Sequence, residues 1–108
     1  MPRRANSVFR AIADPTRREL FHVLVVAGVA MTINQISAKF DISRQGVTKH
    51  LKILEEAELV TINAQGRQRY CQANPYPLKE VNEWVSTYEQ FWDSALGNLA
   101  AYLDKPKD

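Results

Sequence analysis

The chain has 108 residues, 45% of them hydrophobic and 24% charged, which is typical of one soluble globular domain and argues against a two-domain enzyme. Its longest apolar run is far shorter than the about 18–20 residues that span a bilayer, which argues against a membrane helix. The formal net charge of +2 divides into +5 over residues 1–76 and −3 over residues 77–108, which favours a polyanionic partner for the first part.

The cysteine count and the basic N-terminal segment indicate the compartment. Cys71 is the single cysteine, so an internal disulfide cannot form. The residues before Asp14 contain no apolar stretch of signal-peptide length. We therefore expect a reduced, cytoplasmic and soluble protein that does not contact a membrane.

Two helices are predicted before residue 30. Apolar residues from Val8 to Ala13 indicate a short helix that begins at about residue 5. Asp14 and Pro15 favour a second helix start, because Asp accepts hydrogen bonds from the first turn and Pro lacks an N–H that would be unpaired there. Gly28 supplies its C-terminal stop.

A helix-turn-helix outline follows over about residues 32–57. Thr32 and Gln35 form a capping-box pattern that begins a third helix of about two turns. Ser43 can cap a fourth helix with three aliphatic residues on one face. These are Val47, Leu51 and Leu54. Two short helices joined by a few residues are typical of a helix-turn-helix motif.

The opposite face of the fourth helix carries the candidate DNA contacts. Ser43 and five exposed hydrogen-bond donors occupy its first part: Arg44, Gln45, Thr48, Lys49 and Lys52. A solvated basic face is the plain alternative, but the helix-turn-helix context favours DNA. Arg44 is suited to guanine edges and Gln45 to adenine edges, whereas Lys52 is suited to phosphate. Gly46 lowers helix propensity, and close packing of a neighbouring segment is the expected reason.

A β-hairpin is predicted over residues 59–73. Two alternating runs flank Gln65-Gly66, where glycine supplies the positive φ of a turn. Arg67 at the tip and Arg69 two residues later are candidate wing contacts to phosphate or the minor groove, and neutralisation of nearby glutamates is the alternative. Cys71 is interpreted as a small buried residue rather than a redox switch.

A long helix is predicted over residues 77–104, after the prolines that end the hairpin. Against a body roughly 34 Å across, this helix measures about 39 Å over the 26 residues 78–103, at about 1.5 Å per residue. Its apolar band is wider than one contact needs, so we expect one part to cover the body and another to pack on the same helix of a second chain. Four large rings within nine residues exceed what so small a body can bury.

The order and spacing of these motifs resemble the winged helix-turn-helix of ArsR-type bacterial transcriptional repressors. The resemblance rests on residues 13–18, 43–54, 59–60 and 66–67, and residues 84–92 are similar to the SdpR-like subgroup. It implies a homodimer formed by the first and last helices, an operator with two-fold symmetry, and the fourth helix in the major groove. The interface residues are then expected to be Phe9, Trp84, Tyr88, Phe91, Trp92, Leu96 and Leu99.

The sequence departs from the family pattern at Glu58, where the resemblance implies glycine. If this position is left-handed, a residue with a Cβ strains the helix exit.

Metal sensing is common in the family, through paired cysteines in the third helix or His and Asp clusters in the last. Here the third helix has neither Cys nor His, and the last has no His. Zinc needs about four converging ligands, whereas His22, His50 and Cys71 fall in three separate elements. We predict no metal and no cofactor, a structural role for His22, and packing or a phosphate hydrogen bond for His50.

The sequence therefore predicts a mainly α fold with a small β-hairpin wing, a winged helix-turn-helix domain over residues 1–108 with a C-terminal dimerisation helix. The predicted function is a sequence-specific DNA-binding regulator, a homodimeric repressor or autorepressor of double-stranded DNA. No phosphate loop or nucleophile elbow indicates an enzyme or catalytic residues. The alternatives are a protein-interaction module built on the aromatic helix and a metal- or thiol-responsive sensor. The residues do not select an effector.

Overall fold

The computed structural model describes residues 3–104, and the side chains of residues 5–103. The ends of the predicted 1–108 domain lie outside this range. The helices are α1 (Arg3–Ala13), α2 (Pro15–Ala27), α3 (Ile33–Phe40), α4 (Arg44–Glu56) and α5 (Leu78–Asp104), and the strands are β1 (Met31–Thr32), β2 (Val60–Gln65) and β3 (Gln68–Ala73). The fold is mainly α with a small antiparallel sheet, as the sequence predicts.

The predicted caps define the ends of α2, α3 and α4. The Asp14 carboxylate accepts the N–H of Arg17 at 3.0 Å, and this hydrogen bond lowers the pKa of Asp14. Gly28 ends α2 in the left-handed conformation at φ 68°. At the start of α3, the Thr32 hydroxyl accepts the Gln35 N–H, and the Gln35 side chain accepts the Thr32 N–H. The capping box is confirmed.

One hydrophobic core joins α1 to α4 with the sheet. The predicted inner face of α4 is completely buried, and α2, α3 and the start of β2 supply its neighbours. The fully or almost fully buried aliphatic residues are Val8, Leu20, Leu24, Ile36, Val47, Leu51, Leu54, Leu59 and Val60. Each such side chain contributes about 1.5–3 kcal/mol by leaving water, so this core fixes the orientation of α4.

The sheet has the order β1-β3-β2, and its first strand is absent from the sequence-based prediction. Met31 pairs with Cys71 and Thr32 with Tyr70. A two-residue strand is too short for an alternating pattern. In the hairpin, Gln65 pairs with Gln68, so the turn residues are Gly66 and Arg67 rather than Gln65 and Gly66.

Cys71 lies in β3 with its side chain removed from solvent. Burial, with a smaller effect of the Glu55 charge, raises the pKa of this thiol to about 11. The thiol is therefore protonated near neutral pH, and its predicted role as a small buried residue is confirmed.

Helix α5 covers the body only with its first turns. Leu78 and Val81 pack against the core, whereas the large apolar residues from Trp84 onward are exposed. The radius of gyration is 19.5 Å, against about 13 Å for a compact domain of this length. The end of α5 therefore projects well beyond the body. Across residues 3–104, none of the helices has the length and hydropathy that crossing a bilayer requires.

The exit of α4 is left-handed at Glu58, which has φ 62°. The Leu59 N–H donates to the Leu54 carbonyl at 2.9 Å, and the Glu58 N–H donates to the Glu55 carbonyl at 2.8 Å. These two bonds form a Schellman motif, in which the left-handed residue is usually glycine. Glu58 therefore carries the backbone strain expected of a residue with a Cβ at a position where the family resemblance implies glycine.

We expect Glu58→Gly to raise the free energy of unfolding by about 0.5–1 kcal/mol, because the relief of left-handed strain exceeds the added flexibility of the unfolded chain. Urea unfolding measures the change. Glu56→Gly is the matched control, since it removes the same charge within α4 and should lower stability by a similar amount. Equal losses in both variants would contradict the assignment.

Candidate nucleic-acid interface

The turn between α3 and α4 is held by short-range hydrogen bonds. Asp41 adopts the left-handed conformation at φ 53°, and the Ile42 N–H donates to the Ser37 carbonyl at 3.3 Å. The Ser37 hydroxyl also donates to the Ile42 carbonyl. These contacts fix the angle at which α4 leaves the turn.

Helix α4 presents its donor face to solvent. Its cap residue Ser43 accepts the Gly46 N–H at 3.1 Å through its hydroxyl. The five predicted DNA contacts after the cap are all exposed: Arg44, Gln45, Thr48, Lys49 and Lys52. The Thr48 hydroxyl donates to the Arg44 carbonyl at 2.8 Å, and this hydrogen bond holds the Thr48 side chain against the preceding turn of α4. The exposure of this face is as predicted.

Gly46 packs against the turn. A Cβ at this position would lie 2.8 Å from Ile42 Cγ2 and 3.3 Å from the Ser43 hydroxyl. The space is therefore filled by the Ile42 side chain, which confirms packing as the reason for glycine in the first turns of α4.

A cleft of about 720 Å³, here called the donor cleft, separates α4 from the hairpin. It brings together six of the eight predicted DNA contacts: Arg44, Gln45, Thr48, Lys49, Arg67 and Arg69. Lys52 lines a smaller adjoining cavity of about 320 Å³, which Arg69 also borders. Ser43 stands apart from both linings and acts as the helix cap.

Besides the α3 cap residue Thr32, two further polar residues line the donor cleft, Asn34 in the first turn of α3 and Gln68 at the base of the hairpin turn. Sequence reasoning did not identify them, because an isolated Asn or Gln carries no charge pattern. Their position follows from the pairing of β1 with β3, which places the start of α3 beside the hairpin.

The electrostatics of the donor cleft favour anions. The described residues that line it include four cations and no carboxylate. Four neighbouring cations create a positive potential that attracts phosphate groups and raises association rates.

His50 lies on the other side of α4, where it is half-buried. Its Nδ1 is removed from solvent and has no hydrogen-bond partner in the described structure. His50 is not part of the donor cleft lining, so its position favours packing over a phosphate contact. His22 is exposed on α2. Among the described residues, His, Cys, Asp and Glu form no cluster of three or more with the spacing of a metal site.

A second candidate surface runs along α5. The apolar strip consists of the predicted interface residues Trp84, Tyr88, Phe91, Trp92, Leu96 and Leu99, which are 42–68% exposed. Phe9 of α1 is half-buried and packs edge-on against Trp84, with ring centroids 5.4 Å apart, and Trp84 contacts Tyr88 in the same way at 5.2 Å. A monomeric protein rarely exposes so continuous an apolar surface.

Comparison with known proteins finds similar sequences and structures that cover most of the chain. A family model described as a helix-turn-helix domain matches residues 12–63. The chain is 34% identical over 91 residues to the transcriptional repressor SdpR of Bacillus subtilis (strain 168), covering 84% of this chain and 99% of the repressor.

Two solved structures agree with this. A crystal structure of an ArsR family transcriptional regulator is 30% identical with a TM-score of 0.75, covering 87% of this chain and 95% of that one. An ArsR-like transcriptional regulator from Rhodococcus sp. RHA1 is 25% identical with a TM-score of 0.68, covering 95% of each chain.

We expect Gly46→Ala to lower the free energy of unfolding by about 1–2 kcal/mol, because overpacking against Ile42 outweighs the better helix propensity of alanine. Gln45→Ala, an exposed neighbour in the same turn, should leave stability within about 0.5 kcal/mol of the parent. Urea unfolding of the two variants compares them. A Gly46→Ala protein as stable as the parent would show that the turn has room for a Cβ.

Proposed function

Since the chain belongs to the ArsR-type family of winged helix-turn-helix transcriptional regulators, and is therefore a DNA-binding regulator, we propose that it acts as a sequence-specific homodimeric repressor of a two-fold symmetric operator. The observation that carries this proposal is the donor cleft, in which the exposed face of α4 and the arginines of the hairpin face the same space. Because its partner is DNA, we place the protein in the cytoplasm of a bacterium.

In this proposal α4 enters the major groove, which is about 12 Å wide and admits one helix. Arg44 and Gln45 occupy the first turn and reach base edges, where Arg pairs with guanine and Gln with adenine. Thr48 and Lys49 lie one turn later on the same face. Lys52 lies beyond them and contacts phosphate, so it contributes affinity rather than sequence preference.

The β2–β3 hairpin acts as the wing. Gly66 has φ 63° and lets the chain reverse in two residues, which places Arg67 at the tip. Arg69 points into the same cleft as Arg67. Together they hold the phosphate backbone or the minor groove beside the helix, while Ser43 keeps the first turn of α4 in register as its cap.

The apolar strip of α5 and Phe9 form the homodimer interface in this proposal. Two copies of one surface pair about a two-fold axis, and the same axis then relates the two α4 helices. A two-fold related pair of recognition helices reads a palindromic site with half-sites about 34–36 Å apart, one turn of duplex. Dimerisation therefore covers the strip and sets the operator symmetry.

We expect Arg44→Ala to reduce the preference for one base pair in each half-site by about 1–3 kcal/mol, a loss of roughly 5- to 150-fold. Lys52→Ala should weaken all duplexes alike and reduce the slope of log affinity against log salt by about 0.9. Selection of sites from a random duplex pool, followed by titration at several salt concentrations, measures both effects.

The matched control for Lys52→Ala is Lys39→Ala, an exposed lysine of α3 outside the donor cleft. It should change neither sequence preference nor salt slope. A uniform loss of affinity in the Arg44 and Lys52 variants would contradict their separate roles, and binding that is insensitive to salt would contradict DNA recognition through this cleft.

We expect Trp92→Ala to weaken dimerisation by about 2 kcal/mol, roughly 30-fold in the dissociation constant, because large rings dominate such interfaces. Sedimentation across a concentration series measures this shift. Asp93→Ala, the next residue of α5, is the control and should leave the dimer intact. An unchanged mass for Trp92→Ala at low concentration would remove the strip from the interface.

A further inference from the structure

Helix α2 and the loop after it carry apolar residues that neither the core nor the proposed interfaces use. The inner face of α2 buries Leu20, Phe21 and Leu24. On the outer side, Val26 is 71% exposed, and Val29 just after the helix is 65% exposed. Neither valine belongs to the apolar strip of α5 or lines the donor cleft. An apolar surface left open in this way is typical of a ligand-binding groove or of a contact with a partner.

A groove of about 510 Å³, here called the α2–α3 groove, lies beside these valines. Its volume falls within the range of small-molecule sites, about 300–1,000 Å³. The lining residues of α2 and those of α3 are spaced four apart, which places one face of each helix towards the same space. Its apolar lining includes Val23, Val26, Val29 and Met31.

The polar lining of the α2–α3 groove is suited to an anion. Its polar residues are His22, Gln35 and Lys39, all exposed, and the described lining contains no carboxylate. Gln35 and Lys39 lie four residues apart, so their side chains share one side of α3. The Gln35 oxygen already accepts the Thr32 N–H at 2.8 Å, so the amide nitrogen is the group that a ligand meets. An ammonium group beside an amide donor complements a carboxylate.

The two kinds of lining together define the chemistry of a ligand. The valines and Met31 favour an apolar body, while the single ammonium of Lys39 favours one negative charge. A cationic ligand would find no opposite charge among the described lining residues. A small amphiphile with one carboxylate satisfies both parts of the groove.

The chain segment 31–35 separates the α2–α3 groove from the donor cleft. Met31 and Gln35 line the groove, whereas residues 32–34 between them line the donor cleft. Met31 also pairs with Cys71 of the hairpin, and Gln35 closes the capping box at the start of α3. A ligand that draws the Gln35 amide into the groove weakens this cap, and the same segment is a wall of the donor cleft.

From these observations we infer that the α2–α3 groove is an effector site for a small amphiphilic carboxylate. The apolar part of the ligand lies against Val26 and Met31, and its carboxylate accepts hydrogen bonds from Lys39 and Gln35. Binding loosens the start of α3 and lowers the affinity of the donor cleft for DNA. The effector role rests on the proposed function, whereas occupation of the groove does not.

Titration of the full chain with decanoate tests the site. Decanoate carries one carboxylate on an alkyl chain and is used below the concentration at which it forms micelles. Amide NMR spectra should show saturable shifts at Met31 and Gln35. Decyltrimethylammonium, with a similar chain and the opposite charge, should bind about fivefold more weakly or worse. Equal affinities of the two amphiphiles, or shifts confined to the apolar strip of α5, would overturn the inference.

A change of charge tests the carboxylate contact. Lys39→Ala should raise the dissociation constant of decanoate about fivefold, because the ligand loses an exposed charge partner. Lys79→Ala, an exposed lysine of α5 outside the groove, is the matched control and should leave decanoate binding unchanged. The same dissociation constant in both variants would remove Lys39 from the site.

A change in the apolar wall tests the position of the alkyl chain. Val26→Asp should raise the dissociation constant of decanoate about tenfold or more, because it removes apolar contact and places a carboxylate beside the ligand. Val25→Asp is the matched control, since this neighbour is 40% exposed and lies outside the groove. Circular dichroism checks that both variants fold. Equal losses of decanoate binding in the two variants would overturn the inference.

Fluorescence anisotropy with a duplex selected from the random pool tests the effector role. Saturating decanoate should raise the dissociation constant of the duplex about fivefold or more, which is the lower end of typical coupling between two sites. In Val26→Asp the same decanoate concentration should have no effect. Unchanged or tighter DNA binding by the decanoate-bound parent would overturn the effector role. A protein that takes up decanoate in the groove yet binds no duplex under any condition would instead overturn the proposed function.

Discussion

The burial of one face of α4 is the constraint on which the rest of the structure depends. Val47, Leu51 and Leu54 are completely removed from solvent, and each contributes about 1.5–3 kcal/mol by that burial. A turn of the helix about its axis would expose them and bury Lys49 and Lys52 without partners, which costs far more than it returns. The core therefore sets the direction of the donor face. In the proposed function, this packing alone directs the donor face towards DNA.

The wing is coupled to the same core through a two-residue strand. Thr32 pairs with Tyr70 in the sheet, and its hydroxyl also caps α3. A single buried residue therefore ties the hairpin to the first helix of the motif, while the Ser37 and Ile42 contacts tie α3 to α4. The donor cleft exists because these short-range bonds leave little freedom between its three walls.

Local chemistry made the helix ends and the faces of α4 predictable from the sequence, because a cap or a buried stripe needs only neighbours within four residues. The Thr32 capping box and the Gly28 stop are of this kind, whereas the left-handed conformation of Glu58 was suggested only by the glycine that the family resemblance implies there. Strand β1 and the positions of Asn34 and Gln68 were not predictable, since they depend on pairing between segments about forty residues apart. The length of α5 was predictable from its apolar pattern. The extent of its exposure was not, because it depends on which residues of the body the helix contacts.

The long helix leaves most of its apolar residues exposed in one copy of this chain. Helix α5 gains burial from the body only around Leu78, Val81 and Trp84, whereas most helix stability in proteins comes from the packing of an apolar face. Its apolar residues nevertheless continue to Leu103. In the proposed homodimer association covers this surface, and the order of the far half of α5 is then linked to assembly by mass action. The positive body and the negative C-terminal segment agree with a division between a DNA-binding part and a pairing part. The basic body carries the donor cleft, which contacts DNA in the proposed function, while Glu89 and Asp93 lie on the long helix outside that cleft.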